Sequence, residues 1–159
     1  MKDTPDRVRP TMQTRANTSQ ATGPTRERSD VARPVLFAVE DDPSTLALLR
    51  DVATDAGWTA HGFSQLSDFE RAVAHSVPDF VILDDDLPDG RGGDAARDFR
   101  RDDRLCDVPV VVFTGASPPR SAEISSWAPV LRKPFGLAEI ERILHWAAKR
   151  RLEARYPAT

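Results

Sequence analysis

The sequence predicts a doubly wound α/β fold, in which helices cover both faces of a five-stranded parallel sheet. Three observations carry the expectation. Five short apolar runs alternate with segments of helical period from residue 34 onward, the signature of successive βαβ units. Most of the runs are apolar throughout rather than alternating, as strands buried on both faces are. The repeats fit within about 120 residues, and right-handed crossovers place helices on both sides of such a sheet.

The elements follow in order. Val35-Leu36-Phe37-Ala38-Val39 reads as a buried strand. Residues 44–56 read as a helix, with Leu46, Leu49, Ala53 and Ala56 at three- and four-residue spacing and Gly57 as its stop. Asp42 is placed to cap this helix and Pro43 to open it. Thr59 to Phe63 is a weaker strand, and Ser67-Asp68-Phe69-Glu70 matches a capping box that opens a second helix ending before Pro78. Phe80 to Leu83 is the third strand, and Gly92 to about Arg101 is a helix turning Ala96 and Phe99 inward. Val108 to Phe113 is the fourth strand, the most β-branched run in the chain. A short helix is expected near residues 121–127, with Pro118-Pro119 interrupting the stretch before it. Val130-Leu131-Arg132 makes a brief fifth strand, and the last helix starts near Leu137 and buries Ile140, Ile143, Leu144 and Ala147.

Composition narrows the class. The 159 residues are 30% charged and 40% hydrophobic, which suits one globular domain. No apolar stretch is long enough to cross a membrane, and the start lacks a signal-peptide core. The single cysteine, Cys106, has no internal partner, which fits a cytoplasmic, reducing location. Residues 1–33 carry seven basic and four acidic side chains, leaving 15 basic against 21 acidic in the rest. An acidic globular part argues against direct nucleic-acid binding by that part. Residues 1–33 are also poor in large apolar groups, so they are read as a disordered tail. Either the tail is an inert extension, with Met12 an alternative start, or it is a weak basic arm for an acidic partner. Residues 34–154 form the folded domain, and 155–159 a frayed end.

Ligands of doubly wound sheets sit beyond the carboxyl ends of the strands, so those ends hold the candidate residues. The first strand ends in Glu40-Asp41-Asp42, the third in Asp84-Asp85-Asp86, the fourth in Thr114-Gly115 and the fifth in Lys133-Pro134. Clustered carboxylates repel and each pays a desolvation cost, so something positive must hold them together. Oxygen-only ligands select a hard cation such as Mg²⁺, with Mn²⁺ the substitute. Such an ion leaves positions open for phosphoryl oxygens, while Thr114 and Lys133 bind the remaining ones. A carboxylate in line with the phosphorus is then a nucleophile. The set reads as a site for making and breaking an acyl phosphate.

At these residues the sequence resembles the response-regulator receiver family. The motifs are VEDDPS at 39–44, LDDDLPDGRGG at 83–93, VVFTGA at 111–116 and RKPF at 132–135. Together they span roughly residues 34–150. The resemblance implies a flavodoxin-like strand order 2-1-3-4-5. It implies the acid pair on Glu40 and Asp41, the phospho-acceptor on Asp84, the hydroxyl on Thr114, the lysine on Lys133 and a metal-binding carbonyl on Asp86. The metal set is thus Glu40, Asp41, Asp84 and Asp86. A cis Lys133–Pro134 peptide is also implied, as is a phosphohistidine donor on a sensor histidine kinase or a histidine phosphotransfer protein. With no effector module in the sequence, the expected output is protein–protein contact or a step in a phosphorelay.

Several residues have plainer readings. Thr114 can satisfy a local backbone group, Lys133 can be a surface lysine, and Asp84-Asp85-Asp86 can be a solvated turn. His61, His75 and His145 have no ligand spacing and read as ordinary boundary residues. Three features depart from the family pattern. Asp85 stands where an apolar residue is usual, Val130 where an aromatic is common, and the stretch from Thr114 to Lys133 is short. Asp85 either strengthens cation attraction or points away from the metal. Without a ring at 130, Trp127 and the segment from Ser121, with Trp146 and the exposed side of the last helix, are expected to form the partner surface. The opposing expectation is that both tryptophans are packing residues. Two other functions compete: a haloacid-dehalogenase-like phosphatase using Asp84-x-Asp86, and a pseudo-receiver scaffold.

Overall fold

The computed structural model describes residues 32–155. The expected tail at 1–33, except for its last two residues, and the end beyond Arg155 lie outside the described residues. The elements run β1 (Val35–Val39), α1 (Pro43–Asp55), β2 (Thr59–Phe63), α2 (Leu66–His75), β3 (Phe80–Asp84), α3 (Gly92–Phe99), β4 (Val110–Thr114), α4 (Pro118–Ser125), β5 (Val130–Arg132) and α5 (Leu137–Arg155). The strands form one parallel sheet in the order β2-β1-β3-β4-β5, the order the family resemblance implies. Among the described residues no helix is long and apolar enough to cross a membrane.

The period-two alternation of a strand divides the core between the two faces. Phe37, Val39, Val81, Leu83, Val110 and Val112 face the layer built by α2, α3 and α4, where Phe69, Phe99 and Ile124 pack. Leu36, Ala38, Phe80, Ile82, Val111 and Phe113 face α1 and α5, where Leu49, Ile140 and Leu144 pack. Both faces are buried, which explains why these strands read as unbroken apolar runs. Each fully buried Leu, Ile or Phe stabilises the sheet by about 1.5–3 kcal/mol.

The helix ends show where local sequence suffices. Asp42 Oδ1 accepts from the Thr45 amide at 2.7 Å, and Pro43 takes the first turn, as expected. Gly57, at φ 88°, closes α1. Its amide donates to Thr54 and that of Trp58 to Ala53, at 3.0 and 2.9 Å, the paired bonds of a Schellman motif.

Other ends differ from expectation. α2 opens at Leu66 after Gln65, with no capping box at Ser67 and Glu70. Asp89, on the loop after β3, accepts from the Leu66 and Ser67 amides at 2.9 Å each. A distant carboxylate satisfies the first two amides of the helix, which begins one residue before Ser67 at the buried Leu66. β4 starts at Val110 rather than Val108, because the Val108 amide is held in a turn by Leu105 and Pro109 has no amide to donate. α4 starts at Pro118: the two prolines open the helix rather than interrupt it, since first-turn amides need no helical partner. α5 runs through Arg155, one residue past the expected boundary.

Candidate functional site

The carboxyl ends of β1, β3, β4 and β5 bring the predicted residues to one rim. Glu40 and Asp84 are 1% and 3% exposed and Thr114 is fully buried, whereas Asp41 is exposed. Carboxylate oxygens of Glu40, Asp41 and Asp84 lie within 4.8 Å of one another. The Lys133 amide is held by the Thr114 carbonyl at 2.9 Å. Its Nζ lies 3.0 Å from Glu40 Oε2 and 3.0 Å from Asp84 Oδ1. The Lys133–Pro134 peptide is cis, as the family resemblance implies. Lys133 is therefore no free surface lysine.

Electrostatics follow from burial. Desolvation pushes the Glu40 carboxyl above its ordinary value; the Lys133 bond opposes this, and the Asp84 charge adds to it. Burial alone would lower the Lys133 ammonium, but its bonds to Asp84 and Glu40 outweigh that and raise it. With all four groups ionised, three carboxylates and one ammonium leave a formal charge of −2. That charge and an all-oxygen donor set open to solvent at Asp41 fit one hard divalent cation.

Thr114 Oγ1 accepts from the Ala116 amide at 2.9 Å, so the local bond foreseen for it exists. The hydroxyl keeps its own proton to donate. The Asp86 side chain is exposed and pairs with Arg91. None of His61, His75 and His145 joins the site: all are exposed, His61 edges Phe37 and the His75 ring bonds the Arg71 carbonyl.

Asp85 points away from the acid cluster. It continues the Val81 and Leu83 face of β3, as Asp84 continues the Phe80 and Ile82 face. Its carboxylate is fully buried and accepts from the Gly93 amide at 2.9 Å. Arg120 of α4 donates to both its oxygens, at 3.1 Å through Nη2 and 3.3 Å through Nε. Arg120 also reaches Asp94 at 3.4 Å and Glu123 at 3.1 Å. The bond to Asp85 raises the guanidinium above its ordinary value. At Gly93, α3 lies close against α4: a Cβ there would lie 2.7 Å from Ile124 Cγ1 and 2.9 Å from Asp85 Oδ1.

Both tryptophans are half-buried packing residues. Trp127 packs against the α2–α4 layer and donates from Nε1 to the Gly93 carbonyl at 2.8 Å, with Arg97 over its ring. Trp146 meets Phe80 edge-on at 6.1 Å, with Arg150 over its ring. Ser121 is buried too. These contacts favour the packing expectation over the partner-surface one. Sequence reasoning missed Arg120, Gly93 and Asp89. The Gly92-Gly93 pair was the one available hint of close backbone approach; nothing local marks an arginine paired 35 residues upstream.

The response regulator receiver domain model matches residues 36–145, and the chain belongs to that family. It is 31% identical over 118 residues to the KDP operon transcriptional regulatory protein KdpE of Escherichia coli K12, covering 72% of this chain and 51% of that one. The chain thus spans about half the length of that curated relative. Among solved structures, the signal receiver domain of a LuxO repressor protein from Vibrio parahaemolyticus superposes with TM-score 0.71 at 23% identity, covering 80% of this chain and all of that one. The receiver domain of a sensor histidine kinase from Pseudomonas aeruginosa PAO1, whose structure has a magnesium ion coordinated in the active-site cleft, gives TM-score 0.64 at 24% identity over 74% of this chain and 99% of that one.

Proposed function

We propose that the protein is a phospho-acceptor of two-component or phosphorelay signalling, taking a phosphoryl group from a partner phosphohistidine onto Asp84. The observation that carries this reading is the position of Asp84, at the rim with the acid pair on one side and Lys133 Nζ at 3.0 Å. In the transfer, an Asp84 oxygen forms a bond to phosphorus as the bond to the donor imidazole nitrogen breaks, and the imidazole leaves with that electron pair. Asp41, Asp84 and the Asp86 carbonyl, with Glu40 directly or through water, would hold Mg²⁺ or Mn²⁺, which neutralises the carboxylates and the phosphoryl oxygens. Lys133 stays bonded to Glu40 and turns its ammonium to the incoming charge, and the Thr114 hydroxyl donates to a phosphoryl oxygen. The partner is a sensor histidine kinase or a histidine phosphotransfer protein, the location cytoplasmic, and the output protein–protein contact.

The exposed, Arg91-paired side chain of Asp86 weighs against its service as the general acid/base of a dehalogenase-like phosphatase. The complete set of Glu40, Asp41, Asp84, Thr114 and Lys133 weighs against a scaffold that only keeps the fold. The test is incubation with acetyl phosphate and Mg²⁺, read by intact mass. One phosphoryl group is expected on the wild type and none on Asp84→Asn. Normal labelling of the Asn variant overturns the assignment.

A further inference from the structure

We infer that Asp85 and Arg120 form a latch that fixes α4 against the start of α3, and that the phosphorylation state of Asp84 reaches the α4 surface by opening it. The inference rests on the phospho-acceptor reading of Asp84 and adds the route by which that site communicates.

Asp85 is fully buried, and an unpaired carboxylate in such a place carries a large desolvation cost. It has two supports, the Gly93 amide and the Arg120 guanidinium. Only the second comes from α4. At the other end of the helix, the Trp127 indole donates to the Gly93 carbonyl. Gly93 thus meets the α4 segment twice, through Asp85 near its start and through Trp127 just past its end, and it has no side chain to keep Ile124 and Asp85 away. A fork of two guanidinium bonds to one carboxylate is directional, so it holds in one helix position and weakens sharply on displacement.

The latch is mechanically joined to the acceptor. Asp84 and Asp85 share a peptide, and the Asp85 amide donates to the Phe113 carbonyl at 2.8 Å, one residue before Thr114. Thr114 Oγ1 holds the Ala116 amide, and α4 begins at Pro118. A phosphoryl group on Asp84 adds nearly two negative charges and draws the Thr114 hydroxyl toward it. That pull strains the Ala116 bond and moves the N-terminal end of α4, which carries Arg120. In the opened state, Arg120 leaves Asp85 and Asp94 and stays on Glu123 of its own helix, Asp85 keeps the Gly93 amide, and a shifted α4 presents a different face. This gives the protein a two-position element with no aromatic side chain at Val130.

The test reads α4 amide exchange and fluorine NMR on the full chain, with and without beryllofluoride and Mg²⁺. In the wild type, beryllofluoride should give a bound fluorine signal and raise exchange in α4 by about tenfold or more. Asp85→Asn and Arg120→Gln, each checked for folding by circular dichroism, should exchange that fast in α4 without beryllofluoride. They should still show the bound signal and gain little on adding it. A bound signal in the wild type with unchanged α4 exchange overturns the latch while leaving the acceptor reading intact. No bound signal overturns the acceptor reading and the latch with it. If Asp85→Asn unfolds, Arg120→Gln decides: α4 exchange equal to the unliganded wild type overturns the latch.

Discussion

Gly92 tests how tightly the fold is built around Asp84. A Cβ on this residue would lie 2.0 Å from the Asp84 carbonyl oxygen and 2.8 Å from its carbon, with Leu83 Cβ at 3.1 Å. A tolerable carbon–oxygen contact is about 3.3 Å, so the first turn of α3 and the end of β3 must part by roughly 1.3 Å. Both colliding groups are backbone in packed elements, so no side chain can swing aside. Overpacking costs about 1–3 kcal/mol, and here the upper end applies. The entropy gained by replacing glycine returns about 0.4–1 kcal/mol. Gly92→Ala should therefore lose about 2 kcal/mol, a fall in Tm of roughly 8 °C for a domain of this size. Gly115→Ala is the control, since no atom lies within 4 Å of its Cβ position; its change should stay within about 0.5 kcal/mol. Thermal and urea unfolding of the three proteins compare them directly. A Gly92→Ala midpoint equal to wild type, or equal losses in both variants, refutes the reasoning.

Further outcomes follow from the same geometry. Mg²⁺ at about a hundred times its Kd should stabilise the fold by about 2.7 kcal/mol through mass action, and Asp41→Asn should lose most of that gain; a Tm indifferent to millimolar Mg²⁺ counts against the site. The Asp89 carboxyl is held below its ordinary value by the Ser67 and Leu66 amides. Its contribution is thus present above the unfolded carboxylate value of about 3.9 and lost as pH falls through the lower folded value. The stability gap between wild type and Asp89→Ala should be flat near neutrality and close in acid, and a gap that widens on acidification contradicts the sign. Trp146→Ala should lower stability by about 2 kcal/mol, below the 3–5 of a fully buried ring, because the indole is only half buried. An unchanged urea midpoint would show that its contact with Phe80 contributes nothing.

Much of this architecture was legible because it depends on local pattern. Strands buried on both faces must be apolar throughout, so β1, β3 and β4 announce themselves. Asp42 caps the helix that follows it at once, and Gly57 ends that same helix. The acid pair, Asp84, Thr114 and Lys133 were visible because parallel strands deliver their ends to a common rim. What stayed hidden depends on residues far apart in sequence. Asp89 took over a cap that Ser67 and Glu70 advertise. The Asp85–Arg120 pair spans 35 positions, and the periodicity of either segment carries no trace of it. The depth of Trp146 depends on Phe80, on the sheet face beneath α5. Helical spacing alone places that indole off the buried stripe and misses the partner beneath it.

The three consecutive aspartates at 84–86 leave open, by charge alone, which of them joins Glu40 and Lys133. Shifted by one residue, the tract still offers a carboxylate to each face of the sheet, so charge alone does not decide which one meets the rim. Phe80 decides it. Its ring is fully buried between Trp58 and Trp146, a space that the smaller Val81, facing the other way, cannot fill. One aromatic at the start of β3, about 13 Å along the strand from Asp84 at 3.3 Å per residue, keys the phase of the whole run. A strand slipped by one place would force that ring against α2 and α3 and hand the rim to Asp85 in one direction or to Leu83 in the other. Which aspartate reaches the rim is thereby settled by the shape of a hydrophobic socket at the opposite end of the strand.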